Sequence, residues 1–231
     1  MVMPAYNEAE NIMNTIEQWH TVLKKINCKE DSRLVVIDDG SKDDTFNIAK
    51  GLEKRYPLLK VITKENGGHG SAVLYGYRYA IKHEADFIFQ TDSDGQTNPD
   101  EFYRFWKLRK QYDAILGNRV QRGDGKSRAY IEKVVCLLLR LYFHINVPDA
   151  NAPFRLMKKE LVQKYIGRMP KNYPLPNIMF TTFFARYKER IKFIEISFRP
   201  RQAGVNSVNY KRVVQIGWNA LHDFHKFKQA M

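Results

Sequence analysis

The sequence predicts an α/β fold, a single Rossmann-like domain with a mostly parallel central sheet and helices on both faces. Short apolar runs rich in β-branched and aromatic residues alternate with amphipathic stretches of helical length along most of the chain. This alternation is typical of strand–helix–strand units, in which the strands pair in parallel. A length of 231 residues suits one domain, and a hydrophobic content of 44% is enough for a buried core.

The first half of the chain begins with a very short predicted strand, Val2 and Met3. Because two residues make a poor sheet member, we expect residues upstream of Met1 to belong to this strand. Asn7 is predicted to cap the first helix, with Glu8 in its first turn, where a carboxylate favours the positive end of the helix dipole. Further strands are predicted at 34–37, 60–63 and 85–90, with helices at 45–55 and from about Gly70 to His83 between them.

The second half continues the alternation less regularly. A helix around 134–139 is interrupted by Arg140 and is too short to span a bilayer, so a core-facing placement is favoured over contact with a membrane. Strands are predicted at 113–117, 154–157 and 193–198, and helices at 160–166 and 177–186.

The C-terminal residues form a separate predicted element. Val214, Trp218, Leu221 and Phe224 follow helical spacing, with lysine and arginine residues at both ends of the segment. A basic amphipathic helix of this kind either packs on the domain or lies on lipid. We therefore predict one domain over 1–207 and a C-terminal helix over 208–231.

Composition limits the possible partners and the compartment. The net charge of +13 indicates an anionic partner, and nucleic acid, an anionic membrane face and a phosphorylated substrate all remain open. The two cysteines, Cys28 and Cys136, lack metal-site spacing and favour a reducing compartment. Neither a signal-like start nor a membrane-spanning run is visible. We expect a cytoplasmic protein, with peripheral contact at the inner face of the cell membrane as an open alternative.

Two carboxylates follow the strand at 85–90. On extended backbone, residues two apart point the same way, so Asp92 and Asp94 can converge on one cation, and Gln96 can add a neutral ligand. Oxygen ligands of this kind suit Mg²⁺ or Mn²⁺. The alternative is a pair of solvated aspartates that open a turn. Asn98 and Pro99 then supply an N-cap and a first helical residue.

Three other predicted strand ends carry polar residues that should meet at the same sheet edge, where ligands bind in open α/β folds. They are residues 4–8, 38–41 and 67–70. Each alone is compatible with an ordinary turn. The glycine segment lacks the third glycine of a dinucleotide fingerprint, although a helix start there could offer N–H groups to an anion. His69 is expected to be a surface or capping residue.

Four motifs in the first half are found together: V-M-P-A-Y-N-E at 2–8, V-I-D-D-G-S at 36–41, D-S-D at 92–94 and G-N-R at 117–119. With them the chain resembles the inverting family-two glycosyltransferases of the GT-A fold. The resemblance implies a nucleotide-sugar donor whose diphosphate is held through a metal at the acidic pair. It also implies a nucleotide-sugar pocket in which Ile37 and Asp39 hold the base, lined further by Pro4, Tyr6, Glu8 and Ser93.

Second-half motifs resemble the polyprenyl-phosphate sugar transferases of the dolichyl-phosphate mannose synthase type. They are an arginine-rich run at 119–128, D-A-N-A-P-F-R at 149–155 and R-Q-A-G-V-N-S at 201–207. The resemblance implies a lipid-phosphate acceptor, which is already an anionic nucleophile and requires no general base. Arg119, Arg128 and Arg201 would then clamp phosphates.

The chain departs from that pattern at two places. Ala152-Pro153 stands where relatives have Ser/Thr-Gly, and Val208 stands where a basic residue is usual. A glycan hydroxyl, as in surface polysaccharide synthesis, is therefore the alternative acceptor. Such a hydroxyl needs a base, for which Asp149 is the candidate.

Two readings from other classes remain. A nucleotidyltransferase could use an acidic metal pair, but residues 4–8 are not the glycine- and lysine-rich phosphate loop expected after its first strand. A nucleic-acid-binding protein would explain the charge, yet no recognised module is present, so we expect no nucleic acid. The sequence thus predicts a metal-dependent inverting transferase that moves a sugar from a nucleoside diphosphate to a polyprenyl phosphate at the cytoplasmic membrane face.

Overall fold

The computed structural model describes residues 1–26, 32–122, 126–200, 224, 225 and 227, with the backbone alone at 121, 122 and 126–128. Its strands form one sheet, and each strand includes one of the apolar runs of the sequence. In chain order the strands of the described residues are β1 (Val2–Ala5), β2 (Leu34–Asp38), β3 (Leu59–Thr63), β4 (Phe87–Gln90), β5 (Ala114–Arg122), β6 (Arg155–Lys158) and β7 (Ile191–Phe198).

The strand order across the sheet is β3-β2-β1-β4-β6-β5-β7. Strands β1 to β4 run parallel to one another, and β5 runs parallel to β7. Strand β6 is antiparallel to both of its neighbours, β4 and β5. The chain winds outward from β1 to β3 and then returns to place β4 on the other side of β1. This reversal opens a crevice at the carboxyl ends of β1 and β4, the usual ligand position in such folds.

Helices cover both faces of the sheet, as predicted. Alternate residues of each strand point to opposite faces, so Val2 packs in one core layer and Met3 in the other. Helices α3, α5, α6 and α7 cover the Val2 face, and α1, α2 and α4 cover the Met3 face. Their bounds are α1 (Ile12–Ile26), α2 (Thr45–Leu52), α3 (His69–Lys82), α4 (Phe102–Leu108), α5 (Lys126–Phe143), α6 (Lys159–Ile166) and α7 (Pro176–Arg186), with a 3₁₀ turn at Pro99–Glu101.

The start of the first helix differs from the prediction. Asn7 has a φ of 53°, and its side-chain oxygen accepts a hydrogen bond from the backbone of Lys42 at 2.8 Å. The carbonyl of Glu8 accepts from the backbone N–H groups of Asn11 and Ile12, and α1 begins only at Ile12. Asn7 is therefore not the N-cap, because its polar groups join the loop after β2 instead. Glu8 therefore lies at the end of β1 and not, as predicted, in the first turn of α1.

Other local predictions are confirmed. The side chain of Asn98 accepts from the backbone N–H of Asp100, and Pro99 is the first residue of the turn. Strand β5 is longer than predicted because residues 118–122 pair with β7, which lies far along the chain. Among the described residues, no helix combines the length and apolar character needed to cross a membrane.

Most of the predicted C-terminal helix lies outside the described residues. Phe224 is buried against Phe143 of α5, with ring centroids 5.5 Å apart. Phe227 packs edge-on against Tyr173 at 5.4 Å. These two aromatic residues therefore belong to the core layer on the Val2 face.

Candidate functional site

The polar residues predicted at the strand ends lie along one sheet edge. The backbone N–H of Asp39 donates to the carbonyl of Ala5 at 2.9 Å, so β1 and β2 end side by side. The N–H of Thr91 donates to the carbonyl of Val2 at 3.1 Å on the other side of β1. Because β1 is central, the segments after β1, β2 and β4 surround one crevice.

One carboxylate oxygen of Asp92 lacks a hydrogen-bond partner in this crevice. This oxygen, Oδ1, is buried. Burial and the negative charge of Asp94 raise the pKa of Asp92 well above its usual range, with Glu8 adding in the same direction and Arg119 opposing it. A buried acceptor without a partner is costly. A cation beside Asp92 would remove both the missing contact and the repulsion from Asp94.

The turn after β4 orients Asp92 and Asp94. Gly95 has a φ of 73°, a conformation that glycine adopts without strain, and the N–H of Gln96 donates to Oδ1 of Asp94 at 3.1 Å. The carbonyl of Ser93 accepts from the hydroxyl of Thr15 at 3.1 Å, which ties this turn to α1. Asp92 and Asp94 are therefore held by backbone contacts close to one another.

The side chains at this site supply only part of the ligand shell that a divalent cation needs. Gln96, the third predicted ligand, is buried, and its amide nitrogen donates to the carbonyl of Arg199 at 2.9 Å. Among the described residues, no group of three or more histidine, cysteine or carboxylate side chains is arranged to hold a metal by itself. Asp92 and Asp94 would hold the ion, and phosphate and water oxygens would complete its shell, as is usual for Mg²⁺ at phosphate-binding sites.

Asp39 organises the glycine segment before α3. Its two carboxylate oxygens accept from the N–H groups of Gly67 at 3.0 Å and Gly68 at 2.7 Å. The ammonium group of Lys64 is in contact with the same carboxylate, and the side chain of Asn66 donates to the carbonyl of Asp39 at 2.8 Å. The N–H groups that could have bound an external anion are thus directed to a carboxylate of the chain itself.

The other predicted nucleotide residues divide into two groups. Glu8 is buried at the end of β1, where its N–H donates to the hydroxyl of Thr45 at 2.7 Å. Pro4 is buried within β1, and Tyr6 is half-buried just beyond it. Ile37 is fully buried in the core layer with Val2. The structure therefore places Tyr6 and Glu8 at the crevice and the side chain of Ile37 beneath it.

His69 is a site residue that the sequence reasoning missed. It is the first residue of α3, and its Nε2 lies 3.9 Å from Oδ1 of Asp92 with about half of the side chain exposed. Partial burial lowers the pKa of His69, and the negative charges of Asp94 and Asp39 oppose this shift. The available signal was topological, because the helix after β3 must begin at the carboxyl edge of the sheet, where the other site residues lie.

Arg119 is paired with Asp149. Its Nε and Nη2 atoms donate to the two oxygens of Asp149 at 2.7 and 2.8 Å, and Nη2 also approaches Glu132 at 3.2 Å. Burial alone raises the pKa of Asp149, but the hydrogen bonds and charge of Arg119 lower it below the usual value. A carboxylate held in this way is a weak base. The arrangement favours a positioning role for Asp149 over proton transfer.

A second arginine lies deeper beneath the site. Arg155 is almost fully buried and donates to the carbonyls of Ala150, Ala152 and Asn177. Its positive charge reaches Asp92. Two other predicted arginines have no described position, because the side chain of Arg128 and the whole of Arg201 lie outside the described residues.

Residues 1–166, most of the chain, match the family model of glycosyl transferase family 2. The chain therefore belongs to glycosyl transferase family 2. A relative in this family is the undecaprenyl-phosphate 4-deoxy-4-formamido-L-arabinose transferase of Pseudomonas savastanoi pv. phaseolicola, 23% identical over 94% of this chain and 62% of its own length. The chain spans about three-fifths of the length of the first curated relatives it matches.

Solved structures confirm the predicted GT-A fold. The glucosyl-3-phosphoglycerate synthase of Mycobacterium tuberculosis in complex with Mn²⁺ and uridine-diphosphate-glucose is 18% identical, with a TM-score of 0.65 over 95% of this chain and 75% of that one. The mannosyl-3-phosphoglycerate synthase of Rubrobacter xylanophilus is 14% identical, with a TM-score of 0.70 over 99% of this chain and 73% of that one.

Proposed function

We propose that this family 2 chain transfers a sugar, with inversion, from a nucleoside diphosphate to a polyprenyl phosphate at the cytoplasmic face of a membrane. The observation that carries the proposal is the unsatisfied Oδ1 of Asp92 beside Asp94, at the crevice where β1, β2 and β4 end. A buried carboxylate oxygen with no hydrogen-bond partner suits a diphosphate that brings a cation.

The donor site is supported by the acidic pair and by family membership. Mg²⁺ or Mn²⁺ held by Asp92 and Asp94 would stabilise the negative charge that develops on the departing diphosphate. His69 lies next to this pair and could donate to a phosphate oxygen. Tyr6 and Glu8 follow β1 beside the Asp39 loop, where the nucleoside would lie.

The acceptor is inferred from the state of Asp149. A sugar hydroxyl would need a base to remove its proton, whereas a phosphate monoester is already an anionic nucleophile. Asp149 is the predicted base, and its carboxylate is engaged by Arg119. A relative named as an undecaprenyl-phosphate sugar transferase agrees with a lipid-phosphate acceptor. The acceptor oxygen would attack the anomeric carbon in line with the leaving diphosphate, which inverts its configuration.

The test is a transfer assay with separate panels of donors and acceptors in detergent micelles. We expect label from one nucleoside-diphosphate sugar to enter undecaprenyl phosphate, with inverted anomeric configuration by NMR and loss of transfer in chelator. Transfer to oligosaccharide hydroxyls but not to the lipid would contradict the proposed acceptor. A retained anomeric configuration would contradict the proposed mechanism.

A further inference from the structure

Helix α5 exposes a stripe of apolar side chains on the side away from the core. Tyr130, Val134, Leu137 and Leu141 have exposed fractions between 37% and 70%. At 3.6 residues per turn these four lie within an arc of roughly 60° and extend over about 17 Å of helix. Leu139, which points to the opposite side, is fully buried. The described part of the chain leaves this stripe uncovered.

On α5 the basic side chains lie on the outer face and the described carboxylate lies on the inner face. Among the helix side chains that the structure describes, the exposed ones outside the stripe are Lys133 and Arg140, which lie seven residues apart along one border of the stripe. The carboxylate of Glu132 points inward, where it contacts Arg119 and accepts from the N–H of Ala150 at 2.8 Å. The outward face is thus apolar and basic, with no exposed carboxylate on the described side chains of α5.

The inner face of the same helix is joined to the candidate site. Glu132 bonds the guanidinium of Arg119, whose charge acts on Asp92. A surface bound to the outer face of α5 would therefore lie about one helix diameter, roughly 10 Å, from the Arg119 network.

We propose that the outer face of α5 docks on an anionic lipid bilayer, with the helix axis along the membrane plane. The apolar stripe would enter the acyl boundary, while Lys133 and Arg140 would contact anionic headgroups. The overall charge of +13 adds attraction to such a surface. This inference rests on the proposed function for the reason why the enzyme should meet a membrane, since a polyprenyl phosphate resides in one.

The chemistry of the stripe favours lipid over a protein partner. A symmetric interface between two copies would bring the same basic border from each copy, and both copies carry a net charge of +13, so their charges would repel. An anionic bilayer offers complementary charge along the whole helix. The mixture of aliphatic residues, one tyrosine and flanking basic residues is also typical of helices that lie in the interfacial region.

The direct test is flotation of the full chain with vesicles, in the absence of donor and acceptor. We expect recovery with phosphatidylglycerol-containing vesicles and little with pure phosphatidylcholine. The double substitution Leu137→Ser and Leu141→Ser should weaken binding at least about tenfold. Replacing Lys133 and Arg140 by glutamine should weaken it about fivefold for each lost charge. Met13→Ser is the matched control, because Met13 is 51% exposed on α1 and its loss should leave flotation unchanged.

A second measurement gives a positive signal that does not depend on loss of binding. An environment-sensitive dye is attached at Leu137→Cys in a chain that carries Cys28→Ser and Cys136→Ser, with Met13→Cys as the control position. Dye emission at position 137 should shift to the blue when anionic vesicles are added, and emission at position 13 should not. Emission at 137 that is already blue without vesicles would show that the chain covers its own stripe and would overturn the proposal.

Other outcomes would also overturn the membrane assignment. Equal flotation of wild type and the Leu137/Leu141 variant would remove the stripe from lipid binding. A wild-type dimer in sedimentation that the same variant converts to monomer would make the stripe an interface between copies. The failure of this proposal is separable from that of the proposed function. The stripe variant should keep transfer to lipid in micelles and lose it only in vesicles. If the proposed function is wrong, neither the wild type nor the variant should transfer sugar to lipid in either system.

Discussion

At the scale of single residues, the candidate site destabilises the folded chain. Asp92 has a buried oxygen without a hydrogen-bond partner and lies beside a second carboxylate, so its ionised form is destabilised in the folded chain. Sites that bind charged ligands often retain such strain, because it is relieved on binding. A cation carried with a diphosphate would relieve it here.

Asp92→Asn and Asp94→Asn should each lower transfer at least about 100-fold, since the charge that holds the cation is lost. Thermal unfolding of Asp92→Asn should occur at the same or a higher temperature, because the substitution removes the repulsion from Asp94. Asp100→Asn, at an exposed position on the following 3₁₀ turn, is the control and should change neither quantity. Full activity of Asp92→Asn in chelator would exclude a metal at this pair.

Asp149→Asn separates the two possible roles of that residue. If Asp149 positions Arg119, the variant leaves a buried guanidinium without its main partner and should lose about 3 kcal/mol or more of unfolding free energy. Urea denaturation measures this loss. Unchanged stability together with loss of turnover would instead identify Asp149 as a base and favour a sugar hydroxyl as acceptor.

The positions of candidate site residues could be predicted from the sequence where a motif coincides with a strand end. Asp39, Asp92 and Asp94 follow predicted strands, so the parallel sheet alone places them at one edge. Their partners could not be predicted. The bonds from Gly67 and Gly68 to Asp39, and from Arg119 to Asp149, join positions some thirty residues apart. Such contacts depend on loop geometry that periodicity does not encode.

At the scale of elements, Asp113 links three strands at the edge of the sheet opposite the candidate site. Its carboxylate accepts two bonds from Arg190, before β7, at 2.9 and 3.0 Å, and one from Lys158 of β6 at 2.8 Å. Hydrogen bonds from Arg190 and Lys158 lower the pKa of Asp113 to about 2. One side chain thus links the start of β5 to both of its neighbours.

This linkage predicts a pH dependence of stability. A carboxyl whose pKa is depressed on folding stabilises the fold above its usual pKa and loses that contribution as the pH falls through the folded value. Asp113→Asn should cost about 1 kcal/mol at pH 7, allowing for solvent screening of the exposed Arg190. The difference between wild type and variant should shrink between about pH 4 and pH 2. Asp86→Asn, at an exposed position, is the control, and a pH-independent difference for Asp113→Asn would contradict the account.

Gly70 lets the start of α3 approach the segment before α7. A Cβ atom at Gly70 would lie 2.2 Å from the carbonyl oxygen of Tyr173 and 2.7 Å from Pro174. Gly70→Ala should therefore cost about 1–3 kcal/mol and raise the KM for the donor, because the start of α3 carries His69. Gly51→Ala in α2 meets no atom within 4 Å and should be neutral or slightly stabilising. Equal effects of the two substitutions in urea denaturation would contradict this packing.

Helices and strands were predictable where apolar periodicity is strong, and their ends were less so. Sequence reasoning predicts too early a start for α1 because Asn7 resembles an N-cap, whereas its side chain accepts a hydrogen bond from the loop after β2. The extension of β5 to Arg122 depends on pairing with β7, which lies about eighty residues away. In both cases a tertiary contact overrides the local preference.

At the scale of the whole molecule, the fold class followed from the alternation of strands and helices, but the sheet order did not. Strand β6 enters antiparallel between β4 and β5, and no feature of its four residues distinguishes it from a parallel strand. This insertion brings Arg155 beside Gln90, directly beneath the acidic pair. The candidate site and the exposed face of α5 are linked through Glu132 and Arg119.

The measurement that tests the central claim most directly is calorimetry of the full chain against a panel of nucleoside diphosphates, with Mn²⁺ and with chelator. We predict one tight binder, whose affinity falls at least about tenfold in chelator and in Asp92→Asn. Nucleoside diphosphate binding that is equally tight with and without a divalent cation, or absent throughout the panel, would contradict the assignment of the Asp92–Asp94 crevice as a donor site.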